Sequence, residues 1–334
     1  MTASYLLRRL GMLLLLVFTA VTVNFMIPRL MPGDPVESAI NQLVATGGGS
    51  VGDVQAIAAA YRERLGLDLP AWRQYFNYWG SLFRFDLGIS LQYFPARVSD
   101  IIWSALPWTL GLVAVTTVIS FVIGNLLGAV LAWPGSPRFL KALVPAFFVT
   151  AAVPYFMIGL VLLFFFVVIY RVFPSGGGFT FGLELGFNWQ SIWSIVSHAA
   201  LPGLAIILAS AGNWALGMRG MLISTLGEDY ITLAEARGLR PRRIFLWYGV
   251  RNSMLPQLTA LAILLGHAIS GAVLVEVIFS YPGLGFRLFE AINGKDYFVV
   301  QGIVLFLAIS IAAAMFLMDL LYPLIDPRIR YQSR

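Results

Sequence analysis

Residues 101–137 read IIWSALPWTLGLVAVTTVISFVIGNLLGAVLAWPGSP, a run without one acidic residue, lysine or arginine. A helix rising about 1.5 Å per residue needs roughly 20 apolar residues to cross about 30 Å of hydrocarbon, so this run is long enough to span a membrane. Five more uncharged runs match it, at residues 10–28, 142–170, 185–218, 252–275 and 297–318. The whole chain of 334 residues is 59% hydrophobic and only 11% charged. A soluble domain carries about a quarter charged residues, so lipid must be the solvent for much of this surface. The expected fold class is an all-α polytopic membrane protein with six transmembrane helices.

An even number of spans places both termini on one side, and basic residues choose which. On that side fall Arg8, Arg9, Arg138, Lys141, six arginines from Arg219 to Arg251, and Arg328, Arg330 and Arg334. The acids there are Glu228, Asp229, Glu235 and Asp326, whereas the opposite side carries nine basic residues against ten acids. Both termini are therefore expected to face the cytoplasm. The basic residues sit at helix ends and form no continuous stripe, which argues against nucleic acid and leaves lipid as the partner of the apolar surface. Cysteine is absent, excluding disulfides and thiolate metal sites. Arg8-Arg9 before an apolar run resembles the start of a cleaved signal. No small-x-small site follows, and Asn24-Phe25-Met26-Ile27 continues the run, so a retained first helix is expected.

Three segments follow along the chain: residues 1–30 with the first helix, 31–100 as a long exterior segment, and 101–334 as the core holding helices 2–6. Within the exterior segment, Thr46-Gly47-Gly48-Gly49-Ser50 reads as a flexible loop. Residues 62–67 and 72–85 read as short amphipathic pieces. Trp72, Tyr75, Tyr78 and Trp79 suit either an interfacial belt or a small packed cap. Gly124 and Gly128, four apart in the second run, allow another helix to approach closely.

Residues 227–256 form the longest polar stretch on the expected cytoplasmic side, and they are patterned. Glu228 and Asp229 suit a helix N-terminus, and Gly238 sits where a helix ends in the left-handed conformation. Tyr230, Leu233, Ala234 and Arg237 share one face at i, i+3, i+4, i+7 spacing. Pro241 suits the first turn of a second short helix. Two helices joined at a glycine make an elbow.

Catalytic chemistry is not indicated. A phosphate-binding loop needs a lysine followed by Ser or Thr, and the only lysines, Lys141 and Lys295, precede Ala142 and Asp296. Two histidines without cysteine make no usual metal site or catalytic dyad. Of the ionisable groups in the apolar runs, Glu276 lies near the outer end of the fifth and Asp319 near the inner end of the sixth. His267 falls near mid-span. Asn213, His267 and Gln301 are the candidates for a polar path through the bundle. The competing function class is a secondary transporter or channel for small polar solutes, which would be expected to place ionisable groups near mid-membrane.

The elbow also carries a resemblance. Asp229-Tyr230-Ile231-Thr232-Leu233-Ala234-Glu235-Ala236-Arg237-Gly238-Leu239, followed by Arg251-Asn252-Ser253-Met254-Leu255-Pro256, resembles the coupling-loop signature of ABC importer permeases. It looks most like the dipeptide/oligopeptide/nickel branch. Where the general signature has Glu-Ala-Ala, Thr232, Leu233 and Ala234 stand here, so the first two depart from it. Further matches run along the chain: Arg8-Arg9-Leu10, Pro32-Gly33-Asp34-Pro35, Leu65-Gly66-Leu67-Asp68, Asp86-Leu87-Gly88-Ile89-Ser90, Tyr281-Pro282-Gly283-Leu284-Gly285, Asp296-Tyr297, Val300-Gln301-Gly302 and Asp326-Pro327-Arg328-Ile329-Arg330-Tyr331. The resemblance implies a multi-pass permease of the bacterial inner membrane for peptides, oligosaccharides or metal chelates. It further implies a second homologous permease, two ATPases that bind the ATP and Mg, and an external solute-binding protein. Tyr230, Leu233, Ala234, Glu235, Ala236, Arg237 and Gly238 would form the element that meets an ATPase. The permease chain itself would hold no cofactor and would not hydrolyse ATP.

Overall fold

The computed structural model describes residues 3–30, 69–90, 92–93, 95–266 and 273–325. Among these residues every regular element is helical. The helices are α1 (Ala3–Leu30), α2 (Ala71–Phe83), α3 (Val98–Ala132), α4 (Arg138–Lys141), α5 (Val144–Ala152) and α6 (Tyr155–Leu163), the last continuing as a π-helical stretch π1 (Phe164–Ile169). There follow α7 (Trp189–Leu226), α8 (Asp229–Ala236) and α9 (Pro241–Arg243), which continues as π2 (Ile244–Val250). The chain then forms α10 (Arg251–Gly266), α11 (Val273–Ile278), α12 (Leu284–Asn293) and α13 (Tyr297–Ile325).

Among the described residues four helices are long and apolar enough to cross a membrane, over Ser4–Met26, Val98–Ala132, Trp189–Leu226 and Tyr297–Leu317. They coincide with the first, second, fourth and sixth uncharged runs. The third run, expected as one span, is two helical pieces that meet at 99° between Ala152 and Tyr155. Pro154 is the cause. It offers no N–H and crowds the residue before it, and Val153 accordingly turns extended, with φ −83° and ψ 125°. The fifth run holds α10 and α11 on either side of residues 267–272, which lie outside the described residues. The loop at 46–50 and the amphipathic piece at 62–67 lie outside them as well.

The chain divides into two compact units, Met1–Pro107 with Gly283–Phe316, and Trp108–Pro282 with Leu317–Arg334. In the first, α2 is the amphipathic piece expected from residue 72 onward. It packs on α1: the Tyr75 and Thr22 hydroxyls are 2.8 Å apart, and Trp79 stacks on Phe18 with ring centroids 6.0 Å apart. Trp72 remains exposed. Two stretches far apart in sequence meet at Asp296, which is buried. Its Oδ1 accepts from the Val299 N–H at 3.2 Å, capping α13, while Oδ2 accepts from Ser90 Oγ at 2.5 Å and from the Gln92 N–H at 3.0 Å.

In the second unit α7 is the central element. A Cβ on Gly124 would run into Trp214, and one on Gly128 into the Ala215 carbonyl. The two glycines let α3 and α7 approach backbone to backbone, as their spacing predicts. Gly212, on another side of α7, lies against α5, where a Cβ would stand 2.7 Å from the Phe147 carbonyl. Leu112, Leu201, Ile206, Val275, Phe279 and Tyr281 form a buried apolar cluster beside which Trp108 packs. Glu276 is fully buried, and its Oε1 accepts from the Thr109 hydroxyl at 2.8 Å.

Candidate functional site

The elbow folds as its caps dictate. Glu228 is the N-cap of α8 with extended backbone, and Asp229 occupies its first turn. At the other end Gly238 has φ +73°, the left-handed conformation that glycine adopts without a Cβ penalty. The Leu239 N–H reaches the Ala234 carbonyl at 3.3 Å and the Gly238 N–H reaches the Glu235 carbonyl at 2.8 Å. This is the paired Schellman closure, with Leu239 folding back onto the helix it has just left. Pro241 then starts α9.

One expectation about the elbow's faces is corrected. Ala234, expected beside Tyr230, Leu233 and Arg237, is only 4% exposed and turns inward. It forms a small core with Ile231 and Ile244, against which Leu239 and Tyr248 pack. The helix is short and carries two overlapping apolar rows, and the inner row is chosen by Ile244, beyond the turn. The outward row is Tyr230, Leu233 and Arg237, with Leu233 54% exposed. Glu235, Ala236 and Gly238 are exposed beside it.

Several supporting residues were not legible as such in the sequence. The inner core passes into π2, where Phe245 packs edge-on against Trp133 at 4.3 Å between ring centroids and joins Met218 and Leu222 of α7. Gly249 lies where a Cβ would meet Leu222 at 3.0 Å. Asn252 Nδ2 donates to the Tyr230 hydroxyl at 3.2 Å and to the Tyr248 carbonyl at 2.9 Å. Ser253 Oγ donates to Thr225 Oγ1 at 2.9 Å. Asn252 and Ser253 belong to the motif that accompanies the elbow, so the signal was present while the partners were not.

The polar-path candidates fare differently. Asn213 is exposed on α7. Gln301, on α13, exchanges two hydrogen bonds with Asn24: each side-chain amide donates to the other residue's backbone carbonyl, at 2.9 and 3.0 Å. His267 lies outside the described residues. Elsewhere, a cavity of about 360 Å³ opens beside the first turns of α7, lined by Thr180, Phe181, Trp193, Ser194, Ser197 and His198, among others.

Residues 124–331 match the model of the family described as binding-protein-dependent transport system inner membrane component. This chain belongs to that family. The family match takes in α7, the whole elbow and every helix after it. Beyond the matched stretch, likeness to individual members extends over almost the full length. The di/tripeptide transport system permease protein of Pseudomonas aeruginosa is 33% identical over 98% of this chain and 99% of its own. The dipeptide transport system permease protein of Escherichia coli K12 is 30% identical over 99% of each. The oligopeptide transport system permease protein of Bacillus subtilis is 29% identical over 98% of this chain and all of its own. With its membrane-length helices, this member of the family is a multi-pass protein of the bacterial inner membrane.

Proposed function

We propose that the chain is the permease subunit of an ATP-binding-cassette importer, providing half of a translocation path for peptides delivered by an external solute-binding protein. The observation that carries this reading is the elbow: a short helix closed at its C-terminal end by Gly238, braced from behind, and presenting Tyr230, Leu233 and Arg237 outward. A rigid capped helix transmits displacement where a floppy loop would absorb it. Two ATPase subunits would receive this elbow and its counterpart on a second, homologous permease. They would bind ATP and Mg and, on closing, rock the bundles. The lysines here lack the sequence context of a phosphate-binding loop, so hydrolysis falls to those partners. In this reading six spans cross the membrane with both termini cytoplasmic, and Asn213 and His267 contribute polar groups to the path. The names of the relatives favour peptides over oligosaccharides as the cargo.

The test is reconstitution of the chain with its second permease and two ATPases in lipid vesicles, with the binding protein added outside. Peptide-stimulated ATP hydrolysis with vanadate-sensitive peptide uptake is expected. Uptake that persists without the ATPases, driven by an ion gradient, would overturn the reading.

A further inference from the structure

The elbow is a loop whose two ends are pinned together. Thr225 stands in the last turn of α7 and Ser253 in the first turn of α10, and their hydroxyls bond at 2.9 Å across the base of the whole excursion. Ser253 is only 2% exposed, so its hydroxyl has no alternative in water. The seam beside this bond is closely packed, because Gly249 gives Leu222 and Leu226 room to approach, at 3.0 and 3.3 Å from a Cβ built there. The residue next to Ser253, Asn252, donates to the Tyr230 hydroxyl. The feet of α7 and α10 are thus joined to each other as well as to the elbow.

We propose that Thr225 and Ser253 are positioning residues that keep this neck closed, so that an ATPase moving the elbow moves the feet of α7 and α10 as one body. The proposal rests on the importer reading above. Were the neck free to open, displacement of α8 would be absorbed by splaying the two helices, and hydrolysis would proceed without moving cargo. The pair therefore governs how much peptide is carried per ATP more than whether ATP is hydrolysed. Loss of a buried hydrogen bond of this kind shifts a two-state balance about fivefold.

Two experiments on the assembled complex test this. Thr225→Val keeps the side-chain volume and removes the acceptor. It should lower peptide uptake per ATP hydrolysed by about fivefold, with assembly intact, while Thr225→Ser keeps the wild-type ratio. An unchanged ratio in Thr225→Val, or equal loss in both variants, overturns the proposal. In the second, the cysteine-free chain receives Thr225→Cys together with Ser253→Cys and is oxidised. The pair should bridge in nucleotide-free and vanadate-trapped complexes alike, and the bridged complex should keep its uptake. Failure to bridge in either state, or uptake abolished by oxidation and restored by reductant, overturns it. Bridging is read by mass spectrometry and is independent of transport. A bridged pair in a complex that hydrolyses no ATP would therefore indict the importer reading and leave the neck in place.

Discussion

The side-chain amide of Gln301 donates at 2.9 Å to the Asn24 carbonyl, the carbonyl that Pro28 leaves without its usual partner in α1. In a regular helix the N–H four residues on would take that oxygen, and proline has none. Within an apolar surround an orphan carbonyl is costly, so a helix far along the chain supplies the donor. Gln301→Leu should therefore destabilise the protein by about 1 kcal/mol, within the range of interhelical hydrogen bonds in membranes. In a Pro28→Ala background, residue 28 regains its N–H and the same substitution should cost less. Thermal unfolding in detergent would measure both, and an equal cost in the two backgrounds would refute the account.

Gly238 should tolerate new bulk but not a new conformation. A Cβ built there meets nothing within 4 Å, yet φ is +73°. Gly238→Val should then cost roughly 1–2 kcal/mol locally from backbone strain, whereas Gly238→Asn should cost much less, since asparagine visits this region. In the assembled importer, Gly238→Val should re-aim Tyr230, Leu233 and Arg237 and depress peptide-stimulated hydrolysis and uptake, with insertion and pairing preserved. Wild-type uptake by a fully assembled Gly238→Val complex would remove the elbow from its coupling role.

Sidedness can be read directly because the chain has no cysteine. Ser50→Cys should react with an impermeant thiol reagent added from outside, and Arg243→Cys only once the inner face is opened. Labelling of Arg243→Cys from outside in intact cells would overturn the proposed topology.

Gly128→Ala should loosen the contact of α3 with α7. The added Cβ would run into the Ala215 carbonyl, which is backbone and cannot swing away. Overpacking of this kind typically costs about 1–3 kcal/mol. Gly111→Ala, on the same helix with nothing within 4 Å, should be neutral or slightly stabilising. Equal melting temperatures for the two variants would contradict the close approach.

The sequence by itself determined whatever is decided within a few residues or by the solvent. Uncharged runs demand lipid wherever they fold, and residues 98–132 and 189–226 are helices long enough to cross it. The elbow's limits were equally legible, because Asp229, Gly238 and Pro241 each act on the backbone beside them. Only the tertiary structure decided which face of α8 turns inward. Tyr230–Leu233–Arg237 and Ile231–Ala234 are both plausible helical rows, and the choice falls to Ile244 and Tyr248, which pack from beyond the turn. The same holds for Gln301, whose partner Asn24 lies far back in the first helix, and for Ser253, whose partner Thr225 lies across the whole loop. The 99° bend shows the boundary between the two. Pro154 makes a break predictable, because it removes a donor and crowds Val153. Its size is set by packing, with α5 held at Gly212 and α6 beside Ala205 through Gly159. Local chemistry fixes where a helix starts and stops, while the direction it faces depends on side chains that only the folded chain brings near.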